Sequence, residues 1–166
     1  MSEIIPTGVL VLTTGGTMDK VYFDARSAFE VGHSIVEQLL TKAEVRVPFE
    51  IREVMRKDSL DMSEADRASI RAAVLASSQS HIVITHGTDT MADTARALVG
   101  VEGKTIVLTG ALAPARFAET DAMFNLGMAF ASAQILPAGV YIAMNGRLFD
   151  GVHVRKDRAR NQFVPE

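Results

Sequence analysis

Gly8-Val9-Leu10-Val11-Leu12-Thr13-Thr14-Gly15-Gly16-Thr17 is the stretch on which the reading of this chain turns. A short apolar run of strand length that empties into a tight glycine turn ending in a hydroxyl residue places that hydroxyl at the carboxyl edge of a sheet. Such a turn holds either a nucleophile or an anion. The pattern then repeats: His81-Ile82-Val83-Ile84-Thr85 is a second buried strand, followed by His86-Gly87-Thr88-Asp89-Thr90. If the two strands are neighbours in one parallel sheet, Thr17, Thr88 and Asp89 converge on one crevice.

Outward from these turns, apolar runs alternate with helical patterns in the βαβ rhythm of an α/β domain. Residues 8–13 form the first strand. Residues 19–32, with Tyr22, Phe23, Phe29 and Gly32, have no clean periodicity and read as an ordered or mobile loop over the first strand's exit. Ile35, Leu39 and Leu40 indicate a helix over 34–43, and Val47, Phe49, Ile51 and Val54 a strand within 45–55. Ser63 reads as an N-cap with Asp66 as an acidic variant of the capping box, ahead of a buried stripe of Ile70, Val74 and Leu75. The helix after the second turn carries Met91, Ala95, Leu98 and Val99 and stops at Gly100 and Gly103. A strand over 104–109 ends at Gly110, Phe124, Met128 and Ala131 mark a helix over 121–136, and 140–144 is the next strand. Asn145-Gly146 is a type I′ hairpin signal, and Asp150-Gly151 is a second one.

Composition sets bounds on partners. At 166 residues without repeats or linkers the chain reads as one domain, residues 1–166. A net charge of -3, with basic residues scattered apart from a run over 155–160, argues against nucleic acid or an anionic membrane as partner. Cysteine is absent, so disulfides and thiolate metal sites are not available. Residues 1–6 have no basic leader region and the apolar run behind them is far too short to span a bilayer, so a soluble cytoplasmic protein is expected.

A threonine hydroxyl is a poor nucleophile until a base takes its proton, and Thr88, Asp89 and a lysine form an activating set. Asp89 holds the Lys156 ammonium in this reading, and backbone N–H groups around Gly16 and Gly87 bind a developing oxyanion or a substrate carboxylate. Each residue also has a plainer reading. Thr17 alone is a turn or helix cap, Ser59 and Asp61 are turn and cap residues before the Ser63 helix, and Asp89 caps the helix that follows it. His33, His81, His86 and His153 lack metal-ligand spacing, His86 reads as a brace for its turn, and Met91, Met123 and Met128 fill core.

Thr14-Gly15-Gly16-Thr17 and His86-Gly87-Thr88-Asp89-Thr90-Met91, in that order, resemble the two signature turns of the bacterial-type L-asparaginases and their glutaminase-asparaginase relatives. Asp58-Ser59-Leu60-Asp61-Met62 is similar to that family's substrate loop, Gly110-Ala111-Leu112-Ala113-Pro114 to its post-strand turn, and residues 150–156 to the stretch ending in its lysine. The resemblance implies a single three-layer α/β domain with a mainly parallel sheet in flavodoxin-like order and a carboxy-terminal hairpin.

It also implies roles. Thr17 is the nucleophile that attacks the side-chain amide of L-asparagine, without cofactor or metal. Thr88, Asp89 and Lys156 form a polar relay, Ser59 holds the substrate's α-carboxylate, Asp89 its α-ammonium, and Tyr22 partners Thr17 from the loop. Full-length relatives supply a further acid from a second domain across a dimer. This sequence stops at Glu166, so Asp24, Glu30 or a neighbouring subunit is expected to fill that place, in a homodimer or higher homo-oligomer. Glutamine or another small amide is the alternative substrate, and a non-catalytic aspartate- or asparagine-binding module the alternative class.

Overall fold

Unbroken apolar runs bury both faces of a strand, and helices must cover those faces. A computed structural model describes residues 8–166 of the chain and has this architecture. The stretch read for a leader, 1–6, lies outside the described residues. Five parallel strands form the centre: β1 (Val9–Gly15), β4 (Phe49–Lys57), β5 (His81–Thr85), β6 (Thr105–Thr109) and β7 (Gly139–Met144), with β8 (Arg147–Asp150) antiparallel at one edge. Their spatial order is β4-β1-β5-β6-β7-β8, so the chain steps one way from β1 to β4 and then returns to the other side of β1. That reversal opens a crevice at the carboxyl ends of β1 and β5, which pair in register from Val9↔His81 to Thr13↔Thr85.

Alternation along each strand divides the core in two. Leu10, Leu12, Ile82, Ile84, Ile106 and Leu108 face α2 (Glu64–Ala76) and α3 (Met91–Ala97) through Ile70, Val74, Met91 and Leu98. Val9, Val11, Val83, Val107 and Ala143 face α1 (Val36–Lys42) and α4 (Ala122–Ile135) through Val36, Leu40, Leu126 and Phe130. Each fully buried aliphatic side chain contributes roughly 1.5–3 kcal/mol. The capping box of α2 is present: Ser63 Oγ accepts from the Asp66 N–H at 3.2 Å while the Asp66 carboxylate accepts from the Ser63 N–H at 2.8 Å.

Several expectations are corrected. Residues 19–32 are not an irregular loop but an antiparallel hairpin of β2 (Lys20–Phe23) and β3 (Ala28–Val31), turning at Ser27 with φ 47°. Tyr22, Phe23 and Phe29 all stand in solvent, so no alternation betrays the strands. In α2 the stripe is Arg67, Ile70 and Val74, and Leu75 is 56% exposed. The helix marked by Phe124, Met128 and Ala131 is present as α4, and the stripe it buries is Leu126, Ala129, Phe130 and Ala133, with Phe124 65% exposed. Both stripes of α4 are apolar, so spacing alone does not choose between them. Asn145 and Gly146, with φ 54° and 68°, make the two-residue β7–β8 turn. Asp150-Gly151 makes no hairpin; the Gly151 N–H donates to Val140 O at 2.9 Å and the chain bends away. The carboxy-terminal hairpin is β9 (Val154–Asp157) with β10 (Gln162–Pro165), anchored in the core by Val154 and Phe163.

Candidate active site

Three strand exits interlock at the crevice. Gly15 and Gly16 carry φ of 98° and 91°, which glycine adopts without strain, and a Cβ on Gly16 would lie 2.5 Å from the Gly87 nitrogen. A Cβ on Gly87 would lie 2.6 Å from both Cβ and Oγ of Ser59, on the exit of β4. Thr90 then donates from Oγ1 to the Ser59 carbonyl at 2.8 Å, joining the second turn to the serine loop. The β1, β5 and β4 exits are therefore stacked in van der Waals contact with no room for a side chain between them.

Polar groups gather on this stack. The Lys156 ammonium on β9 donates to Thr88 Oγ1 at 2.7 Å and to Asp89 Oδ1 at 2.9 Å. Because Thr88 accepts that bond, its own proton is free to point elsewhere. Arg158, largely in solvent, lies 3.7 Å from the same Asp89 oxygen. Asp89 therefore faces two cations and does not cap α3, whose N-cap is Thr90. Ser59 is 1% exposed, yet its Oγ has no partner. The Thr17 hydroxyl likewise makes no hydrogen bond among the described residues and is partly open to solvent. An unpaired buried hydroxyl costs free energy, so a ligand that supplies the missing bond to Ser59 Oγ is favoured.

His86 braces the second turn from inside. Burial pushes its pKa down to about 4, so the ring is neutral. Nδ1 lies 2.7 Å from the Gly87 carbonyl, which only accepts, so Nδ1 carries the proton and Nε2 accepts from Thr94 Oγ1 at 2.7 Å. A Cβ on Gly110 would run into the His86 carbonyl, which fixes the turn from the β6 side. No group of His, Asp and Glu suited to a metal ion occurs among the described residues.

A family description, "Asparaginase, N-terminal", matches residues 8–163. The chain belongs to the asparaginase family. It is 32% identical over 160 residues to the L-asparaginase of Thermococcus kodakarensis, covering 89% of this chain and 47% of that protein. To the glutaminase-asparaginase of Pseudomonas fluorescens it is 33% identical over 162 residues, covering 89% and 45%. The crystal structure of L-asparaginase I from Vibrio cholerae superposes with a TM-score of 0.85 at 31% identity, covering 96% of this chain and 51% of that one. The chain thus spans about half the length of the asparaginases it matches.

Of the positions matched to asparaginase motifs, Gly16, Gly87 and Ser59 meet by contact, and Thr88, Asp89 and Lys156 by hydrogen bonds. Tyr22 stands apart: it is 50% exposed and packs edge-on against Phe29 across the hairpin, with no hydrogen bond to Thr17. Asp24 sits at the hairpin turn and Glu30 accepts from Arg26 at 2.8 Å. Sequence reasoning missed the supports of this candidate site: Thr90 on Ser59, Thr94 and Met62 around His86, and Asp121, which accepts from the Leu112 and Ala113 N–H groups. Their partners lie in other loops, and no local pattern signals them.

Proposed function

We propose that this single domain is an amidohydrolase that converts L-asparagine to L-aspartate and ammonia through an acyl-threonine. The observation that carries the proposal is the Lys156 side chain held between Thr88 and Asp89, on the same stacked turns as the buried, unpartnered Ser59 hydroxyl and the Thr17 hydroxyl, which makes no hydrogen bond among the described residues. The names of the relatives, L-asparaginase and glutaminase-asparaginase, support it. Ser59 Oγ binds the α-carboxylate and Asp89 the α-ammonium. Thr17 Oγ attacks the amide carbon as its proton passes through Thr88 to Lys156, which acts in this step as the neutral amine, and backbone N–H groups near Gly16 and Gly87 hold the oxyanion. The C–N bond then breaks, and nitrogen departs as ammonia after taking a proton. Water then passes a proton through Thr88 to Lys156, once more a neutral amine after protonating the leaving nitrogen, and attacks the ester carbon; the bond from that carbon to Thr17 Oγ breaks, aspartate leaves and the proton returns to Thr17 Oγ.

Glutamine is the second substrate, supported by the glutaminase-asparaginase name of the Pseudomonas fluorescens relative. One methylene changes pocket binding by only about 1–3 kcal/mol. Tyr22 and the further acid, Asp24, Glu30 or a residue of a neighbouring subunit, join the site on this reading when the hairpin closes over substrate. The protein works as a homo-oligomer in the cytoplasm; the Haemophilus influenzae relative is named a probable periplasmic L-asparaginase, and cell fractionation separates the two locations. The decisive experiment measures ammonia release from L-asparagine and L-glutamine beside Thr17→Ala. Loss of release in the variant is expected, and release that survives it refutes the nucleophile. Aspartate binding without ammonia from either amide means a binding module.

A further inference from the structure

Thr17 owes its direction to backbone alone, since its hydroxyl is unbonded. It opens a 3-10 turn, Thr17–Asp19, closed by the Asp19 N–H donating to Gly16 O at 3.2 Å. Asp19, at the other end of this turn, is 1% exposed. Its Oδ1 accepts from the Ile35 N–H at 3.0 Å, and its carbonyl accepts from the Gly32 N–H at 2.9 Å. The chain therefore leaves the nucleophile turn, runs out along the β2/β3 hairpin, and is tied back to its starting point by one residue. Arg116, from the loop before α4, spans both legs: Nη1 donates to Asp19 O at 3.3 Å and Nη2 to His33 O at 3.2 Å. In the same loop the Ala115 N–H donates to Met18 O at 3.0 Å.

We infer that Asp19, braced by Arg116, is the positioning residue of the nucleophile: it locks the Thr17 turn and both legs of the hairpin to one another. This inference rests on the asparaginase reading. Its chemical content is acceptance of hydrogen bonds, not proton transfer: Oδ1 accepts from the Ile35 N–H and the carboxyl group also accepts from the Ser34 side chain. Misplacing a nucleophile by about 1 Å costs up to about 100-fold in rate while leaving the binding contacts in place. Asp19→Ala removes the acceptor and leaves the Ile35 N–H unpaired in a buried place. Asp19→Asn keeps an acceptor oxygen and discards the charge.

The test combines steady-state kinetics on L-asparagine with backbone amide exchange in the whole chain. Asp19→Ala is expected to lower kcat about 10-fold or more with KM within about 3-fold, and to speed exchange at Ile35 and Gly32. Asp19→Asn is expected to restore both readings to within about 3-fold, and Arg116→Ala to give an intermediate loss with faster exchange in the hairpin. If Asp19→Asn folds yet is as inactive as Asp19→Ala, the charge matters and the inference falls. It falls equally if Asp19→Ala keeps its kcat. Should Asp19→Ala fail to fold, Asp19→Asn and Arg116→Ala decide. If the wild type releases no ammonia from any amide, the asparaginase reading fails on its own. The exchange at Ile35 then decides the anchor independently.

Discussion

Ser59 combines two properties that pull apart, a buried side chain and an unsatisfied hydroxyl. Ser59→Ala deletes an unpaired polar atom, so the melting temperature is expected to hold or rise while KM for the amide increases about 10-fold or more. Calorimetry beside kinetics checks both halves; a lower melting temperature with unchanged KM would mean that the hydroxyl is structural. Lys156→Met removes the donor to Thr88 and Asp89 and is expected to cut kcat by about 10²–10⁴. His86 governs a pH effect. Its folded pKa of about 4 lies below the unfolded value near 6.5, so the unfolded chain binds the proton first as pH falls. Stability is therefore lost between about pH 6.5 and 4, by roughly 3 kcal/mol in all. Asp19 runs the other way, because burial raises its pKa and the folded state takes up that proton more readily. Urea denaturation at pH 7 and pH 5, compared with His86→Gln, isolates the histidine: the variant is expected to lose the downward slope.

At the scale of elements, the site depends on three loops that leave no space for a Cβ. Gly87→Ala must push Ser59 or the second turn aside, and a loss of about 1–3 kcal/mol is expected in urea titrations, together with loss of activity. An unchanged midpoint would show that the stack yields easily. Strands, the α2 capping box and the Asn145-Gly146 turn were legible because each signal lies within a few residues of its effect. Elements whose partners are distant or whose faces are alike were not. The β2/β3 hairpin buries neither face, so it shows no period; the α4 helix is apolar on two stripes, so the sequence marks the helix without choosing the face it buries. Asp150-Gly151 has the composition of a hairpin turn, but the Gly151 N–H is claimed by the Val140 carbonyl and the chain turns off the sheet.

For the whole molecule, the outward face of α4 carries a consequence. Its fourteen residues contain no charge, and Phe124, Ala131 and Ile135 lie on the solvent side. An uncharged, outward apolar face favours burial against a partner surface, and a second copy of the chain is the cover proposed for it. Light scattering is expected to give a dimer or larger assembly, and Ala131→Arg, on the exposed face, to shift it toward monomer. A monodisperse, fully active monomer would refute the assembly.

By itself the sequence determined the α/β class, the two hydroxyl turns and Thr17, Thr88 and Asp89 as candidates, since buried runs and glycine turns are local physical demands, while Lys156 stood out only through the family's motif. Only the tertiary structure decided that β1 and β5 are neighbours, that Gly16, Gly87 and Ser59 stack without space, and that Lys156 crosses from β9 to reach Thr88. Those are contacts between residues far apart in sequence, as in the Thr14 hydroxyl bonded to the Thr85 carbonyl 71 positions on. They follow from the order of strands in the sheet, which is set by how all the layers bury their apolar faces together.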